Sequence, residues 1–395
     1  MRILFYNHAG EISGAERGLL AIMTRAQPAG HAITLCAPDG PLTRAAGRAG
    51  IAVHAIPPLE LGYTRNPLVL GRYLVRAIQP LRGLVGAIQR SQPDIVHANS
   101  IRSGLLAALA VRCAQPRPRL VVHMRDALQN EILDPLVAGI ITRAADAVIP
   151  ISHSVGQRLA SAGGKIHVLH NAIILERYRR DGAAGAHFRE QHGLPADAPL
   201  LAVVAQLTPW KGQLDALEAV ARVRRAHPRA HLVIAGAAKF TGKHRRYDTT
   251  AFREALVARA RQPDLQGCVH FLGDVAAVAA VYAAADLLVV PSWAEPFGRV
   301  VIEALAAECP VVATAAGGIP EILTHGEDGW LVPPRDPEAL AEGITTLLAD
   351  PALRARLARA GLHTVRRRFA LSDYAEKLGG IQRAVLARAA RAQDL

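Results

Sequence analysis

Long apolar runs are missing from this chain. No stretch of about 20 apolar residues occurs, the length a membrane-crossing helix needs. The nearest, Val275–Val290, is Ala-rich and broken by Asp286, so no span is expected. Cysteine is scarce: Cys36, Cys113, Cys268 and Cys309 stand apart, with no C-x-x-C pair. That spacing excludes a disulfide framework and a zinc knuckle and fits a reduced, cytoplasmic setting. The opening MRILFYNHAG reads as a strand entering a loop rather than as a signal peptide. The glycine fingerprint G-x-G-x-x-G of dinucleotide sites is absent, which argues against a nicotinamide-linked oxidoreductase. No D-x-D metal motif stands out, so no metal and no cofactor are expected. Aromatic residues make up only 4% of the chain, leaving Ala, Leu and Val to carry the packing.

Acid is also in short supply. Lys and Arg number 46 against 33 Asp and Glu, a formal charge of +13. Residues 1–195 hold 22 basic and 12 acidic side chains, a balance of +10, whereas 196–395 hold 24 and 21, a balance of +3. The basic half points to a polyanion, an anionic lipid or a phosphorylated substrate. No nucleic-acid motif accompanies it, and nucleic acid is not an expected partner.

The 395 residues suffice for two domains. Short β-branched runs alternate with Ala/Leu-rich helical patterns. Expected strands are Ile3–Asn7, Ile33–Ala37, Ile95–Ala98, Leu120–His123, Ala147–Ile151 and Ile166–Leu169. A second set follows: Leu200–Ala205, His231–Ala235, Val269–Leu272, Leu287–Pro291, Val311–Ala313 and Trp330–Val332. Such alternation predicts an α/β fold of two doubly wound, Rossmann-like domains. Residues 1–175 would form the first domain, the charged and weakly patterned 176–198 a linker, 199–370 the second domain. Residues 371–395 would form a terminal helix packing back toward the first. The carboxyl ends of the strands would line a cleft between the domains.

Four stretches carry candidate chemistry. In Pro291-Ser-Trp-Ala-Glu295-Pro-Phe297-Gly298-Arg299-Val-Val-Ile-Glu303, a strand ends at Pro291 and a helix starts near Gly298. A helix N-terminus suits a diphosphate. Glu303 would sit about 7 Å along that helix, with Glu295 before it, so two carboxylates flank an anion site. The same residues also read as a surface loop with two solvated acids. Gln206-Leu-Thr-Pro-Trp-Lys211-Gly212 follows a strand, and a Lys there can neutralise a leaving diphosphate or simply be solvated. Gly10-Glu-Ile-Ser13-Gly14-Ala-Glu16 gives the backbone room to approach a ligand, while Ser13 and Glu16 fit a capping box and a tight turn explains the glycines as well. His123-Met-Arg125-Asp126 ends a strand. His123 can bond a sugar hydroxyl or serve as a structural residue, and Arg125 can pair with Asp126 or an anionic acceptor. His97 is a secondary candidate.

The spacing Glu295-x7-Glu303 with Pro-Phe-Gly between resembles the signature of the family 4 (group 1) retaining glycosyltransferases of GT-B fold. The resemblance continues through Gly317-Gly318-Ile319-Pro320-Glu321-Ile322 and Gly326–Pro333, and upstream through Asn171, Lys211-Gly212, Gly236, Gly273 and Asp286. It implies a metal-independent transfer of a hexose-type sugar from a nucleotide-diphosphate sugar to a glycan or lipid-linked acceptor, in cell-envelope or polysaccharide biosynthesis. It also implies roles. Glu303 would bind the ribose, and Glu295 with the Phe297 and Gly298 N–H groups the sugar. Lys211 would bind the phosphates, with His123, Lys211 and Glu295 as the catalytic group. Gly14 and the loop through Gly10 and Ser13 would reach the donor phosphates and the acceptor, beside His123 and Arg125. The chain departs from the family at Ala205-Gln206, where Gly-Arg is usual, which shifts phosphate charge onto Lys211 or Arg299. It departs again at Ala172 and Ile174, beside Asn171. A non-catalytic subunit and a GT-B sugar-nucleotide epimerase share much of this pattern.

Residues 61–93 contain Arg65, Arg72, Arg76, Arg82 and Arg90 and no acid. Apolar Leu70, Leu74, Ile78, Leu81, Val85 and Ile88 recur at helical spacing. This predicts a basic amphipathic helix, broken near Pro80, that either docks on an anionic membrane surface or packs on the first sheet with its charged face solvated. The expected location is the cytoplasm, peripheral on the inner face of the membrane.

Overall fold

The computed structural model describes residues 1–27, 30–59, 67–126, 134–157, 159, 164–238 and 248–393. Two six-stranded parallel sheets organise the chain. In the first, β1 (Arg2–Tyr6), β2 (Ala32–Ala37), β3 (Ala52–Ala55), β4 (Ile95–Ala98), β5 (Arg119–Met124) and β6 (Ala147–Pro150) run in the order β3-β2-β1-β4-β5-β6. In the second, β7 (Leu200–Val204), β8 (His231–Ala235), β9 (Val269–Gly273), β10 (Leu287–Val290), β11 (Val311–Thr314) and β12 (Trp330–Val332) run β12-β11-β10-β7-β8-β9. Read from the other side, the second order repeats the first. Both are doubly wound sheets whose chain direction reverses beside the first strand, at β1/β4 and at β7/β10. Crevices at the carboxyl ends of such pairs are where this architecture binds ligands.

The central strands are apolar without alternation because helices cover both faces. β4, β6, β10 and β11 are buried at every position. β3 was not expected. Its Ala-Val-His-Ala is half exposed at the sheet edge and carries no hydrophobic signal. Ile166–Leu169, expected as a strand, makes one bridge, Val148 to Ile166, and donates from the His167 and Leu169 N–H groups to the Val148 and Pro150 carbonyls along the β6 edge.

The chain divides into two units, Met1–Ala172 with Leu371–Leu395, and Ile173–Ala370. The helix Leu371–Gln393 places Tyr374, Leu378 and Val385 in one core with Ile3, Phe5, Leu19 and Leu35. The stretch read as a linker, 176–198, is instead built into the second unit. Asp181 caps the helix Gly182–Gln191 by accepting from the Ala184 N–H. A Cβ at Gly185 would lie 2.6 Å from the Ala283 carbonyl oxygen, so its absence lets this helix lie against Val278–Ala284. Arg189 then clips the segment down by donating to the carbonyls of Ala284, Pro195 and Ala198 and to Asp286.

The basic stretch forms the helix Pro67–Ser91, which continues through Pro80 rather than breaking there. Arg65 and the side chain of Leu70 lie outside the described residues. Among the described residues, no helix is long and apolar enough to cross a membrane, and all four cysteines are free.

Candidate donor and acceptor sites

In the second unit, the loops after β7 and β10 meet at the switch point. β7 runs into a short 3-10 turn, Pro209–Lys211, and then the helix Gln213–Ala226. Gly212 joins them with φ +68°, and a Cβ there would fall 1.9 Å from the Pro291 carbonyl oxygen. Only glycine satisfies both the left-handed backbone and the close approach. The Trp293 N–H donates to the Trp210 carbonyl (2.8 Å), tying the two loops together. Trp293 is held on both sides: its indole N–H donates to Asp215 (2.5 Å), and the Arg335 guanidinium lies 4.7 Å from its ring centre.

This scaffold brings Lys211 and Glu295 into contact, with Nζ 2.5 Å from Oε2. Ser292 Oγ donates to the same carboxylate oxygen at 3.3 Å. Both side chains are largely buried, at 21% and 10% exposure. The loop after β11 fixes the backbone beneath them: the Gly318 N–H donates to the Glu295 carbonyl, and a Cβ at Gly317 (φ +57°) would lie 2.0 Å from that oxygen.

Three residues after Glu295, Gly298 (φ +104°) starts the helix Arg299–Ala306 with no side-chain cap of its own. Gly298 has no side chain to cap the helix, whose first turn carries the positive end of the helix dipole. Phe297 is buried, packed edge-on against Phe369 with ring centres 5.8 Å apart, so it anchors the loop by its ring. Glu303 is 5% exposed and accepts three hydrogen bonds. Arg299 Nε and Tyr178 OH donate to Oε1 at 2.8 and 3.0 Å, and Tyr282 OH donates to Oε2 at 3.1 Å. Burial, and then the Glu303 charge beside it, raise the Tyr282 phenol well above its ordinary value, so it stays a donor. Arg299, expected as a spare phosphate cation, is thereby turned onto Glu303 as an i,i+4 partner. Gln206 contributes its carbonyl, which accepts from Gln213 Nε2 at 2.7 Å.

The first unit has its own polar cluster at the β1/β4 switch point. A capping box joins Ser13 to Glu16 at the head of the helix Gly14–Ala26, with the Ser13 N–H donating to the Glu16 carboxylate at 3.0 Å; the Ser13 hydroxyl donates to that carboxylate as well. From Glu16 the network runs on through Asn7 (3.2 Å), Asn99 (3.0 Å), Arg125 (3.1 Å) and Asn171 (2.6 Å). Arg125 thus donates to two asparagine oxygens at this edge of the sheet. Gly10 makes its close approach to protein: a Cβ would lie 2.7 Å from the Pro38 and Asp39 carbonyls, and the Gly10 carbonyl accepts from the Leu42 N–H.

His123 differs most from expectation. It has no exposed surface, so it does not line an acceptor site in this conformation. Its Nδ1 lies 3.3 Å from His97 Nε2 and its Nε2 3.4 Å from the Tyr374 hydroxyl, while His97 Nδ1 lies 3.4 Å from Gln382 Nε2. An amide nitrogen can only donate, so His97 Nδ1 accepts. The protonated Nε2 of His97 then donates to His123, and that of His123 to Tyr374. Burial, and then the Arg125 charge, lower the His97 pKa to about 3, and burial depresses His123 in the same direction. Both are neutral histidines tying β4 and β5 to the terminal helix.

Sequence reasoning missed Tyr178, Tyr282, Ser292, Trp293 and Asp215. The tyrosines lie 125 and 21 positions from Glu303, beyond any local motif. Ser292 and Trp293 sat inside the quoted motif but carry no spacing signal of their own.

Residues 12–177 match the family model described as Glycosyltransferase Family 4, and residues 186–364 the one described as Glycosyl transferases group 1. The D-inositol 3-phosphate glycosyltransferase of Streptomyces avermitilis is 32% identical over 358 residues, covering 86% of this chain and 73% of that protein. A glycogen synthase of Mycobacterium tuberculosis is 31% identical over 301 residues, covering 74% and 69%. The solved structure of Anabaena Alr3699/HepE in complex with UDP-glucose superposes with a TM-score of 0.81 at 25% identity, over 97% of this chain and all (100%) of that one. A sucrose-phosphate synthase from Thermosynechococcus elongatus shares the fold, with a TM-score of 0.77 at 22% identity, over 98% and 99% of the two chains.

Proposed function

The chain belongs to glycosyltransferase family 4 (group 1), of GT-B fold, and from that premise we propose that it moves a hexose-type sugar from a nucleotide-diphosphate sugar to a glycan or lipid-linked acceptor, with retention and without metal. The observation that carries this reading is the pairing of Lys211 with Glu295 ahead of the uncapped helix Arg299–Ala306, whose first turns present the buried Glu303. A cation, a helix N-terminus and two carboxylates suit the successive parts of such a donor. The UDP-glucose in the Anabaena relative's structure supports the same donor class.

In this reading the diphosphate lies against the N-terminus of Arg299–Ala306, the ribose hydroxyls bond Glu303, and the sugar hydroxyls bond Glu295. Lys211 holds the growing negative charge of the departing phosphate, the point at which a fixed cation lowers the barrier. The bond from the anomeric carbon to the phosphate oxygen breaks. The acceptor oxygen forms its bond on the same face, and its proton passes to the released phosphate. No metal is assigned a step. The acceptor belongs to the first unit, near the Gly10–Ser13 loop and the Asn99–Arg125 cluster. The enzyme works in the cytoplasm, peripheral on the inner face of the membrane, in envelope or polysaccharide synthesis.

The test is a panel of UDP-, GDP- and ADP-sugars, scored for hydrolysis and thermal stabilisation. Lys211→Ala, Glu295→Ala and Glu303→Ala should each lower turnover about a hundredfold or more while the protein stays folded. Wild-type rates in all three would overturn the site. Turnover should persist in EDTA; loss that divalent metal restores would refute metal independence.

A further inference from the structure

We propose that the helices Pro67–Ser91, Ile101–Cys113 and Asp134–Ala144 together form a face that docks on an anionic lipid bilayer. The three lie side by side in one layer over the first sheet. Every exposed large hydrophobic side chain among the described residues is on them. Leu68, Leu74, Val75 and Ile78 project from the first, with Leu68 83% and Val75 67% exposed. Leu109 projects from the second, and Leu136 and Ile140, one turn apart, from the third.

Charge selects the occupant. Arg72, Arg76 and Arg82 are exposed on the first helix, Arg102 and Arg112 on the second, and Arg143 on the third. The sole acid on the three helices, Asp134, is 2% exposed. A face of apolar side chains interleaved with arginines and no accessible acid complements an anionic surface. The apolar groups enter the headgroup boundary while the guanidinium groups stay at the phosphates.

The fold also aims this face. A Cβ at Gly83 would lie 2.8 Å from Ile56, which directly follows β3, so Gly83 is level with the carboxyl edge of the sheet. The helix enters β4 from its other end, so residues 67–82 run on past that edge by about 24 Å. The Gly10–Ser13 loop and Arg125, which follow β1 and β5, lie at the same edge. The apolar overhang therefore flanks the acceptor side of this unit. The use of docking for a lipid-linked acceptor rests on the proposed function; the docking itself does not.

The full chain is sedimented with vesicles of phosphatidylcholine alone and of phosphatidylcholine with phosphatidylglycerol. It should pellet with the anionic vesicles and release as salt rises. The triple change Arg72→Gln, Arg76→Gln, Arg112→Gln should weaken partition about a hundredfold, at roughly a factor of five per basic residue. Leu74→Ser, Val75→Ser, Ile78→Ser should abolish pelleting, with both variants keeping the wild-type circular dichroism and donor hydrolysis. Three results would each overturn the proposal: recovery of the wild type in the supernatant with anionic vesicles, pelleting of both variants like the wild type, or a wild-type dimer that the serine variant renders monomeric. Pelleting by a chain that hydrolyses no nucleotide-sugar would uphold docking and remove the proposed function.

Discussion

Lowering the pH should loosen the first unit through its buried histidines. His97 and His123 are neutral in the native state because burial and the Arg125 charge oppose protonation, and the His97 pKa falls from 6.5 to about 3. In the unfolded chain the same imidazole titrates near its ordinary value. Below that value the unfolded state binds a proton the native state refuses, so stability is lost as pH falls from 6.5 toward 3. Going from about pH 7 to about pH 5 costs ~2 kcal/mol through His97 alone. His123 adds to the loss with the same sign. His8, lowered to about 4 by burial and then by Arg102, titrates in the same window and supplies the background against which a variant is read. His97→Gln keeps an acceptor for Gln382 and a donor for His123 but does not titrate, so its stability should fall by ~2 kcal/mol less over that interval. Tryptophan fluorescence would miss the effect, since Trp210, Trp293 and Trp330 all lie in the second unit. The assay is hydrogen exchange by mass spectrometry on peptides from β4, β5 and the terminal helix, with denaturation followed by circular dichroism. A first unit equally stable at both pH values, or a His97→Gln protein retaining the full pH dependence, would refute the reasoning.

Three further outcomes follow from the second unit. Gly212→Ala must place a Cβ against the Pro291 carbonyl in a left-handed backbone, a loss of about 3 kcal/mol that would shift the tryptophan-monitored denaturation midpoint; an unshifted midpoint disproves the contact. Tyr282→Phe removes one of three donors to the buried Glu303 carboxylate, costing about 1–2 kcal/mol and raising the donor KM more than it lowers kcat. Equal KM values in the two proteins would show that Tyr282 does not orient Glu303. Arg189→Ala strips donors from four backbone carbonyls, and about 2–3 kcal/mol of stability should go with them. If 182–198 were a loose linker, the thermal midpoint would not move.

Much of this protein is written locally. The apolar runs at Ile95–Ala98 and His231–Ala235 became strands with the expected bounds, because strands buried on both faces must be continuously apolar; Trp330–Val332 did so at the sheet edge. The capping box of Ser13 and Glu16 and the glycine at the head of Arg299–Ala306 were legible for the same reason: they satisfy backbone groups within a turn of themselves. Ala52–Ala55 and Gly182–Gln191 were not legible. The first is an edge strand with a weak apolar pattern, and the second is held by Gly185 and Arg189 against groups about a hundred residues away.

The candidate site divides along the same line. The sequence alone determined that Glu295, Gly298 and Glu303 share one strand-loop-helix unit, since their spacing fixes them on it. Only the tertiary structure decided what each polar group faces. It pairs Lys211 with Glu295 across 84 positions and gives Glu303 to Arg299, Tyr178 and Tyr282. It also seals His123 between His97 and a tyrosine 251 positions away. A histidine at a strand end has the same local sequence whether it meets substrate or core. The terminal helix that covers it, arriving from the far end of the chain, makes it a buried neutral residue.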